Sequence, residues 1–290
     1  MSVQDRWIAE TLHEDKGVRT LYKAGRMIHE EQTEHQHLAL FEHPYYGRVL
    51  VLDGALQVTS RDEFIYHEMM SHVPLIAHGD AKDVLIIGGG DCGIAKEALK
   101  HRGVRRVVQV EIDPRVVEFS KEHFPEFAGP AFADPRFQSV ISDGMDYVAA
   151  IPGREFDIII VDSTDPQGPG EVLFSWDFYE ACKCCLKPGG IMVTQNGVPF
   201  FQPDELVSSL GHFKRLFERS GCYIAAIPTY VGGHMAMGWA GDWYIPAMPI
   251  ESIENRYAEA GRFATRYWTP WMHRSAFALP RFIEEIAEKA

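Results

Sequence analysis

Short apolar runs at residues 84–87, 107–110, 137–141, 158–161 and 191–194 recur along the middle of the chain, with helix-patterned stretches around 93–101, 114–123, 143–150 and 175–186 between them. Each run is strand-sized, and the Lys187-Pro188-Gly189-Gly190 turn stops one helix before the next strand begins. Strand–helix alternation of this kind folds as a mostly parallel sheet with helices on both faces, the doubly wound α/β class. An amphipathic helix over 204–219 and strands over 223–228 and 235–240 are expected to close the sheet, ahead of a helical tail over 250–290. Residues 1 to about 60 read differently, as short strands punctuated by turns. There the run 48–52 leads into the Asp53-Gly54 turn, and a strand resumes over 55–59. A helix starting at Asp62 would carry Phe64, Ile65, Met69, Val73 and Ile76 into a core.

Charge narrows the partners. Lys and Arg number 28 against 41 Asp and Glu in 290 residues, a formal net charge of −13. Nucleic acid and anionic membrane surfaces reward basic patches, so neither is expected as a partner; a cationic small molecule suits the balance better. The first twenty residues mix both charges without an apolar run, and a cytoplasmic protein is the expectation. Of 5 cysteines, Cys182, Cys184 and Cys185 fall in one helical pattern with no second ligand pair at zinc-site spacing, which favours a structural reading over metal or redox chemistry. The pairs His35/His37 and His67/His72 likewise read as non-metal, the residues other than His67 being expected on mixed polar faces.

The run Val84-Leu85-Ile86-Ile87-Gly88-Gly89-Gly90-Asp91 is a strand feeding a glycine turn and a helix, where backbone can approach a nucleotide-like ligand closely. Glu111 ends the next strand, about 20 residues on, where an acidic side chain binds ribose hydroxyls in this architecture. Asp143-Gly144 ends the third strand, with Asp143 able to meet an adenine amino group and to cap the following helix. Three acids at successive strand ends favour a nucleoside site, and the absence of a pyrophosphate cradle favours an adenosine sulfonium over a dinucleotide. A second constellation, Asp162-Ser163-Thr164-Asp165-Pro166-Gln167-Gly168-Pro169, leaves the 158–161 strand. Two carboxylates three apart at a strand end are badly placed for a core and well placed to hold a cation in a crevice; an Asp-rich turn bonding its own backbone is the alternative.

At this point the chain resembles the spermidine synthases, the polyamine aminopropyltransferase family, of bacterial type. The resemblance rests on Thr33-Glu34-His35-Gln36, Leu52-Asp53-Gly54, the stretch 61–70 (RDEFIYHEMM), Gly88 to Asp91, Glu111-Ile112-Asp113, Asp143-Gly144, Asp162 to Pro169 and Ile227-Pro228-Thr229-Tyr230. It implies a small N-terminal β domain, residues 1–65, and a Rossmann-like, methyltransferase-type catalytic domain, residues 66–290, assembled as homodimers or homotetramers. It further implies decarboxylated S-adenosylmethionine as co-substrate, with no permanently bound cofactor and no metal, and putrescine as acceptor. Donor contacts would come from Gln36, Gly88, Gly90, Asp91, Glu111, Asp143, Gly144 and Pro169. Acceptor contacts would come from His67, Asp91, Asp162, Asp165 and Tyr230, and the catalytic pair would be Asp162 and Tyr66. Residues near 163–172 would form a loop over the site. Two positions depart from the family pattern: Cys92 stands where glycine is usual, and Lys96 where arginine is frequent. Readings left open are an acceptor other than putrescine (agmatine, cadaverine or spermidine), an S-adenosylmethionine-dependent methyltransferase, and a non-catalytic homologue on this scaffold.

Overall fold

The computed structural model describes residues 6–165 and 168–290, the side chains of Gly168 and Pro169 excepted. The N-terminal part is all antiparallel: β1 (Arg6–Glu10) pairs with β2 (Thr20–Ala24), and β3 (Arg26–Gln32), β4 (His37–His43), β5 (Gly47–Leu52) and β6 (Ala55–Thr59) form a meander. Helix α1 (Glu63–His78) then enters the larger part. There the chain runs β7 (Asp83–Gly88), α2 (Gly93–Leu99), β8 (Arg106–Glu111), α3 (Pro114–His123), α4 (Pro125–Ala133), β9 (Phe137–Ile141), α5 (Gly144–Ala150), β10 (Phe156–Asp162), α6 (Trp176–Cys185) and β11 (Leu186–Gln195). It closes with α7 (Pro203–Leu216), β12 (Arg219–Ala225), β13 (Met235–Gly241), α8 (Ile250–Ala260), α9 (Pro270–Ser275) and α10 (Arg281–Ala287).

One seven-stranded sheet in the order β12-β13-β11-β10-β7-β8-β9 organises this part, parallel except for the antiparallel pairs of β13 with β11 and β12. Because β7 and β10 are central, side chains on both of their faces are buried, and alternation assigns them to opposite layers. Val84, Ile86, Ile158 and Ile160 join the core under α1 and α2, whereas Leu85, Ile87, Ile159 and Val161 join the core under α6 and α7. From β7 the chain winds outward through β8 to β9, then returns to start β10 on β7's other side. That reversal opens a crevice at the carboxyl ends of β7 and β10.

The N-terminal meander shares its cores with the larger part. Leu38, Leu40, Leu50 and Leu52 pack on Val116, Phe119, Phe124 and Phe127 of α3, α4 and their junction. Alternate residues Ala39, Phe41, Val49 and Val51 face Tyr22, Leu56 and Tyr230. The sheet therefore roofs the crevice.

Several expectations need correction. Helix α7 stops at Leu216, and β12 begins at Arg219 rather than 223, because its polar start, Arg219-Ser220-Gly221, forms an edge strand paired with β13 and shows no alternation. The Lys187-Pro188-Gly189-Gly190 turn lies inside β11 as an irregularity between Leu186, opposite Phe156, and Ile191, opposite Ile158. Helix α4 is an element that the sequence pattern does not assign; despite Pro130 inside it, Phe127, Ala128 and Ala131 are fully buried on it. His72 is not on a mixed polar face: it is fully buried, its ring nitrogens 3.0 Å from His101 Nε2 and 3.1 Å from Glu97 Oε2. Cys182 and Cys185 are buried on α6, while Cys184 between them is exposed.

Candidate active site

The glycine turn after β7 is shaped by its neighbour strand. Gly88 is paired with Asp162 of β10, has φ of 82°, and a Cβ there would stand 2.1 Å from the Asp162 carbonyl oxygen. No other residue fits, so β7 and β10 can close on each other and bring Asp91 and Asp162 into one crevice. Asp91 is held at both oxygens: Oδ1 accepts the Gly93 amide at 2.7 Å and Oδ2 lies 3.1 Å from His67 Nε2. Burial would push the Asp91 carboxyl up, but the His67 charge and hydrogen bond, the Gly93 amide and Lys96 outweigh it and hold it below the usual range.

Cys92 begins α2 in the left-handed conformation, φ 66°. Its side chain turns into the core, Sγ 3.7 Å from the Gly90 carbonyl, and burial with the Asp91 charge pushes the thiol up to about 12. The thiol is thus inert packing and does not point at a ligand.

At the end of β8, Glu111 is buried, its Oε1 accepting the Asp113 amide at 3.0 Å, and burial pushes its carboxyl up to about 7. Asp113 caps α3 through the Arg115 amide at 2.9 Å and also receives Thr33 Oγ1 at 2.8 Å and Gln36 Nε2 at 3.3 Å. This ties the N-terminal sheet's 33–36 loop to the strand end. Asp143 caps α5, with Oδ1 accepting the Met145 and Asp146 amides at 2.8 and 3.1 Å. Both capping amides go to this one oxygen and Asp143 also lines the crevice, so capping and ligand contact are compatible.

Asp162 closes β10. Its Oδ1 accepts the Tyr66 hydroxyl at 2.5 Å, and burial together with the Asp91 charge pushes its carboxyl up to about 7. Burial and Asp162 raise the Tyr66 phenol well above its ordinary value, so Tyr66 keeps its proton and donates it. Tyr230 stands edge-on to Tyr66, ring centroids 6.0 Å apart, and its hydroxyl donates to the Gln57 carbonyl at 2.5 Å. Deeper along the crevice, Asp165 Oδ1 accepts Gln202 Nε2 at 2.6 Å. The same nitrogen donates to Glu205 Oε1 at 2.8 Å, while Gln202 Oε1 accepts the Val198 amide at 2.9 Å. Burial raises the Asp165 carboxyl, and lifts Glu205 to about 8 and Glu10 to about 7. Gln195 Nε2 donates to the Ser163 and Thr164 carbonyls at 3.2 and 3.4 Å, anchoring the chain that leaves β10.

Gln36, Tyr66, His67, Gly88, Gly90, Asp91, Glu111, Asp143, Gly144, Asp162, Asp165 and Tyr230 all line one cavity of about 450 Å³. Pro166 and Gln167, and the Pro169 side chain, lie outside the described residues. Sequence reasoning missed Glu10, Gln57, Gln195 and Gln202, which line the same cavity. Glu10 comes from a two-stranded ribbon far from any motif and carried no signal. Asp113 had one, standing in the Glu111-Ile112-Asp113 block.

Fold and crevice together define a class: a Rossmann-like α/β protein with an acidic site at the carboxyl ends of its central strands, roofed by an antiparallel sheet. Residues 63–246 match the spermine/spermidine synthase domain, and residues 6–60 match the spermidine synthase tetramerisation domain. A polyamine aminopropyltransferase of Pseudomonas syringae pv. tomato is 50% identical over 97% of both chains. One from a Ruegeria species is 49% identical over 97% of this chain and 98% of its own. A spermidine synthase solved in complex with the transition state analogue AdoDATO superimposes with a TM-score of 0.92 at 33% identity, covering 100% of this chain and 98% of that one. The spermidine synthase of Thermotoga maritima gives 0.88 at 31% identity, with the same coverage. The chain belongs to the spermidine synthase family and is a polyamine aminopropyltransferase of polyamine biosynthesis.

Proposed function

We propose that the protein transfers the aminopropyl group of decarboxylated S-adenosylmethionine to putrescine, releasing spermidine and 5′-methylthioadenosine. The observation that carries this reading is the Tyr66–Asp162 pair, 2.5 Å apart, between Asp91 on one side and the Asp165–Glu10 end of the cavity on the other. That is one carboxylate beside the reacting nitrogen, one on the donor side, and a distal acidic pocket for the acceptor's second ammonium. In this assignment Gln36, Glu111, Asp143 and Gly144, with Pro169, hold the nucleoside between Gly88 and Gly90, and Asp91 faces the donor's aminopropyl ammonium. His67, Asp91, Asp162, Asp165, Tyr230 and the newly recognised Glu10 form the acceptor channel.

The chemistry is an in-line displacement. The amine nitrogen attacks the propyl carbon next to sulfur, the C–S bond breaks with its electron pair staying on sulfur, and a neutral thioether leaves. Positive charge moves from sulfur to nitrogen, so a carboxylate near the nitrogen is worth more in the transition state than before it. The amine must first lose a proton. With a pKa of about 10, by analogy with Lys, only roughly one in a thousand is neutral near pH 7, a penalty of about 4 kcal/mol. Asp162 takes that proton, and Tyr66 orients the carboxylate.

Asp91 would act as a donor filter: ordinary S-adenosylmethionine carries a carboxylate at that end, which Asp91 repels in a closed site. We further propose that residues 1–65 form the assembly and roof domain and 66–290 the catalytic domain, working in the cytoplasm as a homodimer or homotetramer. The match of residues 6–60 to a tetramerisation domain supports assembly, as do Trp7 and Leu21, 55% and 57% exposed on the β1–β2 ribbon. The test is product identification by mass spectrometry after incubation with decarboxylated S-adenosylmethionine and putrescine. Spermidine with 5′-methylthioadenosine is expected; a methylated amine, or no product from folded protein, overturns the reading.

A further inference from the structure

Glu63 opens α1 four residues before His67, so both side chains share one helix face. It is 8% exposed and does not line the crevice. Its Oε2 lies 2.6 Å from His67 Nδ1, while His67 Nε2 lies 3.1 Å from Asp91 Oδ2. A carboxylate oxygen therefore faces each ring nitrogen. Carboxylates only accept, and a neutral imidazole has a single N–H, so two ionised carboxylates on one ring require the imidazolium. The ring is clamped in this pose: a Cβ on Gly93 would lie 2.1 Å from His67 Cε1, and the Phe127 ring stands edge-on at 5.8 Å.

The groups facing this cation come from every neighbouring element. On α1 they are Glu63 and Tyr66; from the loop after β7, Asp91; from the end of β10, Asp162. From α2 comes Lys96, whose Nζ lies 3.5 Å from Glu63 and 3.3 Å from Glu97. Burial opposes the charge on His67, but Asp91 and Glu63 outweigh it and hold the imidazolium up to about 10. The consequence appears at the two crevice carboxylates. Asp91, hydrogen-bonded to the cation, is held low, whereas burial and then the Asp91 charge push Asp162 up to about 7, the more distant His67 charge and the Tyr66 hydrogen bond only partly offsetting them. Two neighbouring acids driven apart in this way acquire different tasks.

We propose that Glu63 is a positioning residue: acting through His67, it makes Asp91 the standing carboxylate of the crevice and leaves Asp162 as the one that exchanges a proton. The inference rests on the aminopropyl-transfer reading, and its test separates the two. Glu63→Gln keeps shape and one hydrogen bond but withdraws the charge that sustains the imidazolium. With the cation weakened, Asp162 loses a charge that lowers it and keeps its proton to higher pH, so the acid limb of kcat/KM moves upward. A limb displaced by about one pH unit changes the rate on it about ten-fold. The wild-type-to-E63Q ratio of kcat/KM should therefore approach about ten below pH 6, be about five near pH 7 and fall towards one by pH 9. A ratio that stays constant with pH, or stays at one, overturns the assignment, because a packing role has no reason to recover with pH. Should E63Q fail to fold, ¹⁵N NMR of the wild-type histidine side chains decides, with His67→Gln used to assign the resonance. Protons on both His67 nitrogens from pH 6 to 9 support the proposal, and a singly protonated ring overturns it. Failure of the transfer reading would instead show as no 5′-methylthioadenosine from the wild type.

Discussion

Replacing Asp162 with Asn removes the proton acceptor while keeping an oxygen for the Tyr66 hydroxyl, 2.5 Å away. The structure sets the size of the effect. Moving a proton from an amine of pKa about 10 to an exposed Asp of about 4 is uphill by about six powers of ten, about 8 kcal/mol. With the Asp162 carboxyl pushed up to about 7, the gap is roughly three powers of ten, about 4 kcal/mol. In D162N no such acceptor exists, and only amine that is already neutral can react. Loss of a positioned general base lowers turnover by about 10²–10⁴, while Asp91, Asp165 and Glu10 remain to bind the diamine. The expected result is a kcat reduced by that factor with KM for putrescine changed by less than about ten-fold. The pH profiles should diverge as well. In the wild type kcat/KM rises with pH until Asp162 has lost its proton, near 7 in the free enzyme, and then flattens. In D162N it should keep climbing about ten-fold per pH unit towards the amine's own pKa. Steady-state release of 5′-methylthioadenosine, followed by chromatography, reads both. Equal turnover in the two proteins, or parallel pH profiles, would refute the assignment of Asp162 as acceptor.

The same substitution should affect stability in the opposite direction. A carboxyl raised in the fold from 3.8 to about 7 binds its proton more tightly folded than unfolded, so its penalty grows as pH rises from about 4 to 7 and is complete above. D162N should thus be more stable at pH 8 by about 2–4 kcal/mol, with the gain gone by pH 4 in urea titrations. Asp91→Asn should relax the preference for decarboxylated over ordinary S-adenosylmethionine by about ten-fold or more; unchanged competition between the two donors contradicts the filter. Glu10→Gln should raise KM for the diamine about ten-fold with kcat little changed, since a distal ammonium loses one buried charge partner; a fall in kcat with KM unchanged would remove Glu10 from binding. Cys92→Gly relieves a left-handed non-glycine residue, worth about 1–2 kcal/mol. It also loses a fully buried side chain worth about 1 kcal/mol and adds backbone entropy of about 0.5–1 kcal/mol. Stability should stay within about 1 kcal/mol of wild type, and a change beyond about 2 kcal/mol in either direction contradicts this balance.

The doubly wound sheet was legible because its central strands are buried on both faces and therefore read as unbroken apolar runs, 84–87 and 158–161 above all. The edge strand β12 was misplaced at its start for the converse reason: Arg219, Ser220 and Gly221 pair on one side only and carry no apolar signature. The polar start of the crevice was equally legible, since Asp91, Glu111, Asp143 and Asp162 each end a strand or its turn. Its far end was not. Glu10 and Gln202 reach the cavity from β1 and from the segment before α7, and no local pattern links residues so far apart in the chain. Glu63 was in view inside the 61–70 stretch, yet its partnership with Asp91 depends on a buried ring between them that only the packing of α1 on α2 supplies.

The most direct measurement is kcat/KM for 5′-methylthioadenosine release with putrescine, cadaverine, agmatine and spermidine offered separately alongside decarboxylated S-adenosylmethionine. Putrescine should give the highest value, with spermidine as its product. A higher value for another amine would contradict the acceptor assignment, and no release with any of them from folded protein would contradict the transfer itself.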